Sequence, residues 1–376
     1  MKIGIDARMY STNFTGIGRY VFELTEHLFR MDKENEYVLF FNNPEYDKFD
    51  DKRFNGRVKK VLVDVPHYSL KEQTKLLSAL RKEKLDLMHF THFNAPIFYI
   101  RPKVVTIHDL TLTFFPGKKM TGFKHRAGYH ATLHASVTNA KHVIAVSENT
   151  KSDIQKIYGL PRENVSVIYE GVNPNFKIIE DKERLEKVRN QYNLKKPFFL
   201  YTGVWRGHKN LVALIEAFAE LLNQYDLDID LVMTGKEDPH YPEVKQAVAD
   251  SKLNGRVKFP GLVPEDDLVA LYNLAEVYVL PSFYEGFGLT PLEAFACGTP
   301  VCASNTSCIP EICGEGNALF FDPNKKDDII SKMYEVYMDK ELKKSLVKKG
   351  LKRIEDFSWE QMGKETFEVY KKVLKM

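Results

Sequence analysis

The sequence predicts an α/β protein of two domains in tandem, each a parallel sheet flanked by helices. Three observations lead there. The chain has 376 residues, too long for one ordinary core and suited to two at roughly 150 residues per domain. Short apolar runs rich in Val, Ile and Phe alternate with longer amphipathic stretches, as in parallel-sheet units. That alternation restarts after Gly171-Val172-Asn173-Pro174, whose Asn-Pro pair favours a turn.

In the first half the expected strands are KIGID (2–6), YVLFF (37–41), VKKVLVDV (58–65), DLMHF (86–90), VVTIH (104–108), HVIAV (142–146) and VSVIY (165–169). Helices fit between them at Gly18–Arg30, Leu70–Lys82, Lys124–Asn139 and Ser147–Tyr158. Ser147 suits an N-cap, because its hydroxyl oxygen can accept a first-turn amide. A charged segment, Glu180–Gln191, leads into the second series: FFLYTG (198–203), DLVMTG (230–235), VKFPG (257–261), VYVLPS (277–282), PVCAS (300–304) and ALFF (318–321). The tail Phe357–Lys375 reads as an amphipathic helix, with Trp359, Met362, Phe367, Tyr370 and Val373 on its apolar stripe. The domains therefore run 1–175 and 176–356. Residues 357–376 are expected to cross back and pack Trp359, Phe367 and Tyr370 on the first domain. Sheets of this kind bind ligands at the carboxyl ends of their strands, here in a cleft between facing domains.

Composition narrows the function. Hydrophobic residues are 44% and charged ones 28%, which argues against a disordered chain. The net charge of +3 hides an asymmetry: residues 1–175 hold 26 basic and 19 acidic side chains, residues 176–376 hold 28 and 32. A basic first half suits an anionic partner but falls well short of nucleic-acid-binding density. The opening MKIGIDARMY lacks the apolar run of a signal peptide, and no stretch approaches ~20 apolar residues. A cytoplasmic protein is expected, and the matches to Asn-x-Ser/Thr at Asn13, Asn164 and Asn305 then count for nothing.

No metal site is expected. Cys297, Cys302, Cys308 and Cys313 fall within 17 residues, but their spacing is not that of zinc-binding Cys-x2-Cys pairs. Their apolar surroundings suit small buried thiols. His89 and His92 lack the spacing of a helical metal pair and have no matching carboxylate cluster.

The candidate chemistry lies at strand ends. Thr15-Gly16-Ile17-Gly18-Arg19-Tyr20 follows the first strand and opens a helix, where glycines permit close approach and the helix N-terminus attracts anions. A simple tight connection explains it equally. His108, beside Asp109, can bond a ligand or stabilise developing charge. In the second half Gly203 ends a strand, and Arg206, His208, Lys209 and Asn210 follow at a helix start, a sound diphosphate site. Glu285 and Glu293 then flank a turn, Gly286-Phe287-Gly288-Leu289, running into a helix with Pro291 in its first turn. Glu293 falls on an otherwise apolar helix face, where an unpaired carboxylate is costly, so it should accept hydrogen bonds.

Taken together these blocks resemble the retaining glycosyltransferases of family 4, whose two Rossmann-like domains form the GT-B fold. The resemblance rests on GVWRGHKNL (203–211), GLVPEDDL (261–268), SFYEGFGLTPLEAFACGTPV (282–301) and IPEICGEGNALFFDP (309–323). TGIGRY, TIHDL and AVSENTKSDI in the first half agree with it. It implies that the first domain takes the acceptor and the second the nucleotide-diphosphate sugar. Glu285 would contact the transferred sugar and Glu293 the ribose. Lys209 and Arg206 would neutralise the leaving diphosphate. Backbone from Gly286 to Leu289 would cradle sugar and phosphate, His108 would stand near the reacting face, and Gly16 beside the phosphates. One departure is that His208 stands where many relatives have arginine, so the second cation is open between Arg206 and His208.

The implied activity is metal-independent and needs no cofactor: a hexose, mannose first, moves from a donor such as GDP-mannose to a hydroxyl of a glycan or lipid-linked acceptor. The aromatic and basic stretch Phe114–Arg126 resembles the acceptor-side loop that meets a membrane surface in relatives; a plain solvated loop fits it as well. Two other classes compete, a nucleotide-sugar epimerase and a non-catalytic nucleotide-sugar-binding relative. No nucleic-acid partner is expected, and a dinucleotide oxidoreductase lacks its full glycine fingerprint.

Overall fold

The computed structural model describes residues 1–11, 16–118 and 122–375. Asn13, Thr15, Lys119 and Met120 lie outside them. The chain divides into two compact units: Met1–Thr113 with Met120–Gly171 and Ser358–Met376, and Phe114–Lys119 with Val172–Phe357. The observed divisions after Gly171 and Phe357 stand beside the expected 175/176 and 356/357, and the short segment Phe114–Lys119 groups with the second unit.

The first unit holds a seven-stranded sheet. Its strands are β1 (Lys2–Asp6), β2 (Glu36–Phe41), β3 (Val58–Leu62), β4 (Leu87–Phe90), β5 (Lys103–Ile107), β6 (His142–Ala145) and β7 (Val165–Val167), in the order β3-β2-β1-β4-β5-β6-β7. All pairs are parallel, with Ile5 opposite Leu39 on one side and His89 on the other. Parallel strands need helical crossovers and are buried on both faces, which is why they read as unbroken apolar runs. The second unit repeats the plan with six strands, β8 (Phe198–Thr202), β9 (Asp230–Thr234), β10 (Val257–Gly261), β11 (Val277–Leu280), β12 (Val301–Ser304) and β13 (Leu319–Phe321), ordered β10-β9-β8-β11-β12-β13. In each sheet the order reverses beside its first strand, between β1 and β4 and between β8 and β11. Open sheets of this kind bind ligands at the carboxyl ends beside such a reversal. Lys209 and Glu285 follow β8 and β11 there, while His108 follows β5, one strand further on.

Several expectations need adjusting. Strand 58–65 stops at Leu62, and His108 stands just beyond β5 rather than within it. Leu70–Lys82 is not one regular helix: a π-helical turn at Glu72–Leu76 precedes an α-helix at Leu77–Lys82. Ser147 caps its helix as expected, its hydroxyl oxygen accepting from Thr150 N at 3.1 Å.

The C-terminal helix, Trp359–Leu374, belongs to the first unit and lies along the helix Gly16–Met31. Ser358 caps it, accepting from Gln361 N. The buried stripe is Trp359, Met362, Gly363, Thr366, Val369 and Tyr370. Phe367 is only half-buried, with Lys371 Nζ 5.2 Å from its ring centroid. Helical geometry explains the correction: Met362, Thr366, Val369 and Tyr370 share a face at three- and four-residue steps, and Phe367 falls at its edge.

Candidate functional site

The second unit brings Lys209 and Glu285 together. A short 3-10 turn, Gly207–Lys209, follows β8, and Asn210 turns the chain into the helix Leu211–Tyr225 in a left-handed conformation (φ 55°). Asn210 Nδ2 donates to Pro323 O at 2.9 Å, fixing that turn. Lys209 Nζ then lies 2.7 and 2.8 Å from the two carboxylate oxygens of Glu285.

Glu285 is held through its backbone. Its amide donates to Ser307 Oγ at 3.3 Å, and its carbonyl accepts from Ser307 Oγ at 2.7 Å and from Cys308 Sγ at 3.2 Å. Cys308 Sγ also reaches the Phe287 carbonyl at 3.1 Å. Burial pushes the Cys308 thiol well above its ordinary range, so it stays a neutral donor. All four cysteines are buried free thiols. Sequence reading missed the parts of Ser307 and Cys308, because a thiol bonding two carbonyls leaves no spacing signature. Gly288 (φ 94°) then starts the helix Leu289–Ala296, whose first-turn amides face back toward the turn.

Arg206 is committed to Asp238, a buried carboxylate past the end of β9, and donates to Trp205 O at 2.7 Å. Its guanidinium carbon lies 5.8 Å from the centre of the Tyr241 ring. Asp238 also takes His240 Nδ1 at 2.7 Å. His208 accepts from Phe283 N through its carbonyl at 2.8 Å, while its ring lies 6.1 Å from Phe115. Phe115, in the segment that groups with this unit, stacks parallel to Phe283 at 6.2 Å, and Lys118 pairs with Glu243 at 2.7 Å. Within this stretch Phe115 is stacked and Lys118 is paired, while Phe114 is exposed.

Glu293 accepts from the buried Tyr272 hydroxyl at 2.9 Å, and that hydroxyl lies 3.0 Å from Thr202 Oγ1. Burial and the neighbouring carboxylate raise the Tyr272 phenol far above its usual range, so it remains a donor. The helix carboxylate expected to need hydrogen bonds has this one from Tyr272. Gly203 (φ 150°) follows β8; a Cβ there would stand 2.6 Å from Tyr201 Oη, a buried hydroxyl with no hydrogen-bond partner among the described residues.

In the first unit His108 is buried, with Nδ1 3.0 Å from Glu170 Oε1 and Nε2 3.0 Å from the Thr91 carbonyl. Gly16 opens its helix on the surface. His89 lies inside the core, Nδ1 2.6 Å from Tyr370 Oη and Nε2 2.8 Å from Thr106 Oγ1. Burial drives its imidazole down to about 3. His92 Nδ1 bonds Asn94 Oδ1 at 2.6 Å, and burial, then His108, brings that ring to about 4. Arg8 sits between Asp6 and Glu72 at 2.7 and 2.6 Å at the end of β1. Among the described residues no group of three or more His, Cys, Asp or Glu is arranged to hold a metal ion. Nor is any described helix long and apolar enough to cross a membrane.

Two parallel-sheet units with strand-end clusters of this kind define a GT-B glycosyltransferase architecture, and comparison with known proteins agrees. Residues 182–353 match the family described as glycosyl transferases group 1, and residues 14–176 match Glycosyltransferase Family 4. The chain belongs to these glycosyltransferases. It is 29% identical to O-antigen chain mannosyltransferase B of Escherichia coli over 99% of this chain and all of that one. It is 32% identical to O-antigen chain mannosyltransferase RfbU of Salmonella typhimurium over 62% of this chain and 60% of that one. Among solved structures, Anabaena HepE in complex with UDP and glucose superposes with a TM-score of 0.77 at 18% identity, over 99% of this chain and all of that one.

Proposed function

We propose that the protein is a retaining, metal-independent mannosyltransferase. It takes mannose from a nucleotide-diphosphate donor, GDP-mannose first, and passes it to a hydroxyl of a glycan or lipid-linked acceptor in polysaccharide synthesis at the cytoplasmic side of a membrane. The two mannosyltransferase relatives support the sugar, and the O-antigen names support the acceptor class. The observation that carries the reading is the Lys209–Glu285 pair beside a glycine turn that opens a helix.

The chemistry follows from that pair. The bond between sugar C1 and the diphosphate oxygen breaks, leaving charge on the phosphate and an oxocarbenium-like carbon. Lys209 meets the growing charge with Arg206 or His208, and first-turn amides add fixed dipoles. Glu285, released from Lys209, accepts sugar hydroxyls, and Glu293 accepts ribose hydroxyls. Gly203, Gly286, Phe287, Gly288 and Leu289 bring backbone close to sugar and phosphate, with Gly16 and His108 contributed by the first unit. The acceptor oxygen bonds C1 on the face the phosphate leaves, and its proton passes to the departing phosphate oxygen.

Thermal stabilisation by GDP-, UDP- and ADP-sugars tests the donor, since ligands bound to the folded state raise its melting point. Product analysis with and without acceptor completes it. Stabilisation by GDP-mannose and acceptor-dependent mannosyl product support the reading. An isomerised nucleotide sugar formed without acceptor would replace it with an epimerase, and binding without any product with a non-catalytic protein.

A further inference from the structure

The geometry assigns Glu170 as the positioning residue for His108, holding the imidazole as a hydrogen-bond donor at both ring nitrogens. The functional consequence rests on the reading of His108 as part of the transfer site; the pairing does not.

Nε2 faces the Thr91 carbonyl at 3.0 Å. A carbonyl oxygen only accepts, so Nε2 carries a hydrogen. Nδ1 faces Glu170 Oε1 at 3.0 Å. A bare Nδ1 would set its lone pair against a carboxylate lone pair, so a proton lies on that line too. Imidazole is ordinarily the more basic group, which places that proton on Nδ1, facing the Glu170 carboxylate.

The surroundings keep the pair closed. Glu170 is 3% exposed and His108 8%. The residue after Glu170, Gly171, packs so tightly on the start of the C-terminal helix that a Cβ there would come within 2.3 Å of Trp359 N. Tyr20 meets the His108 ring edge-on at 4.7 Å and 85°, and His92 lies nearly parallel at 6.3 Å. His92 is bonded to Asn94, and His89 to Tyr370 and Thr106. Neither imidazole competes for Glu170, and Asp109, the residue after His108, is exposed.

A ring that donates at both nitrogens has no lone pair with which to take a proton from an acceptor hydroxyl. With both N–H groups held by Glu170 and the Thr91 carbonyl, His108 is fixed in place and unsuited to the role of general base.

Nitrogen-15 NMR of the full chain labelled at histidine tests this, with His108→Gln identifying the ring's signals. The wild type should show hydrogen on both His108 nitrogens. In Glu170→Gln the amide can donate to Nδ1, so that nitrogen should lose its hydrogen while Nε2 keeps its own. With GDP-mannose as donor, kcat should fall tenfold or more and KM change less than threefold, and Glu170→Asp should recover part of the rate and the doubly protonated signature. A bare Nδ1 in the wild type overturns the assignment, as does a doubly protonated ring in Glu170→Gln. If the spectra agree but His108→Gln transfers sugar at the wild-type rate, the pairing stands and the functional reading of His108 falls.

Discussion

Lys209 and Glu285 neutralise each other, with Nζ 2.7 and 2.8 Å from the two carboxylate oxygens and the side chains 17% and 14% exposed. A ligand that claims only one of them strands the other in a partly desolvated place.

The first prediction follows. On the proposed reading a bare nucleoside diphosphate would take Lys209 and leave Glu285 unpaired, whereas a complete donor would also supply sugar hydroxyls to the carboxylate. Glu285→Gln removes the competing charge. Calorimetric titration should therefore show GDP binding about tenfold tighter to Glu285→Gln than to the wild type, a difference of about 1.4 kcal/mol. GDP-mannose should gain nothing. Unchanged GDP affinity would show that the pair does not compete with phosphate.

The cations give the second prediction. Lys209→Ala should lower kcat by roughly 10²–10³-fold and affect donor binding less, since in the proposed mechanism its contact would strengthen as charge develops. Arg206 must leave Asp238 to reach a phosphate, and His208 is packed beside Phe115. We expect Arg206→Ala to cost more turnover than His208→Ala. The rate should survive excess EDTA, and a loss restored by added divalent metal would contradict the metal-free mechanism.

Much of this architecture was legible in the chain. Buried parallel strands announce themselves as apolar runs, and the restart after Pro174 separates two sheets of the same plan. Lys209 and Glu285 were readable as parts of one donor site only through the motif, and their ion pair was not, because 76 residues separate them and no local periodicity links them. The partners stayed hidden for physical reasons. Tyr272 meets Glu293 across two helices, Asp238 meets Arg206 from another strand end, and Glu170 meets His108 over 62 residues. Each is an ordinary residue in an ordinary context until the fold closes. His89 shows the converse. Read only as a rejected metal ligand near a strand end, it is a fully buried core histidine tied to Tyr370.

That tie yields the third prediction. Tyr370 donates to, or accepts from, His89 Nδ1 inside the core, and Thr106 occupies the other ring nitrogen and also meets Tyr20 Oη at 2.9 Å. Tyr370→Phe keeps the ring and removes the hydroxyl, leaving Nδ1 buried without a partner. Unfolding measurements should show a loss of about 1–3 kcal/mol. Deleting residues 358–376 should cost far more and abolish transfer, since it uncovers the helix Gly16–Met31. A truncated chain of normal stability and rate would contradict the packing of the last helix.

The last prediction concerns Lys103, which starts β5 fully buried. Its amine has one long hydrogen bond, to Tyr99 O at 3.4 Å, and no carboxylate within ion-pair distance among the described residues. Burial alone brings it down to about 8 from an ordinary value of 10.5. Between those values the unfolded chain keeps a proton that the folded one gives up. The unfolded state thus binds more protons, and stability rises with pH across the window. Below pH 8 both states carry the charge and the folded state bears the full cost of burying it. Lys103→Met keeps the apolar stem and removes the charge. Urea unfolding should show the variant more stable than the wild type at pH 7, by on the order of 2 kcal/mol. The gain should shrink steadily as pH rises from 8 toward 10.5. A loss at pH 7, or a gain of equal size at pH 7 and pH 10, would show that the buried amine is not the destabilising group.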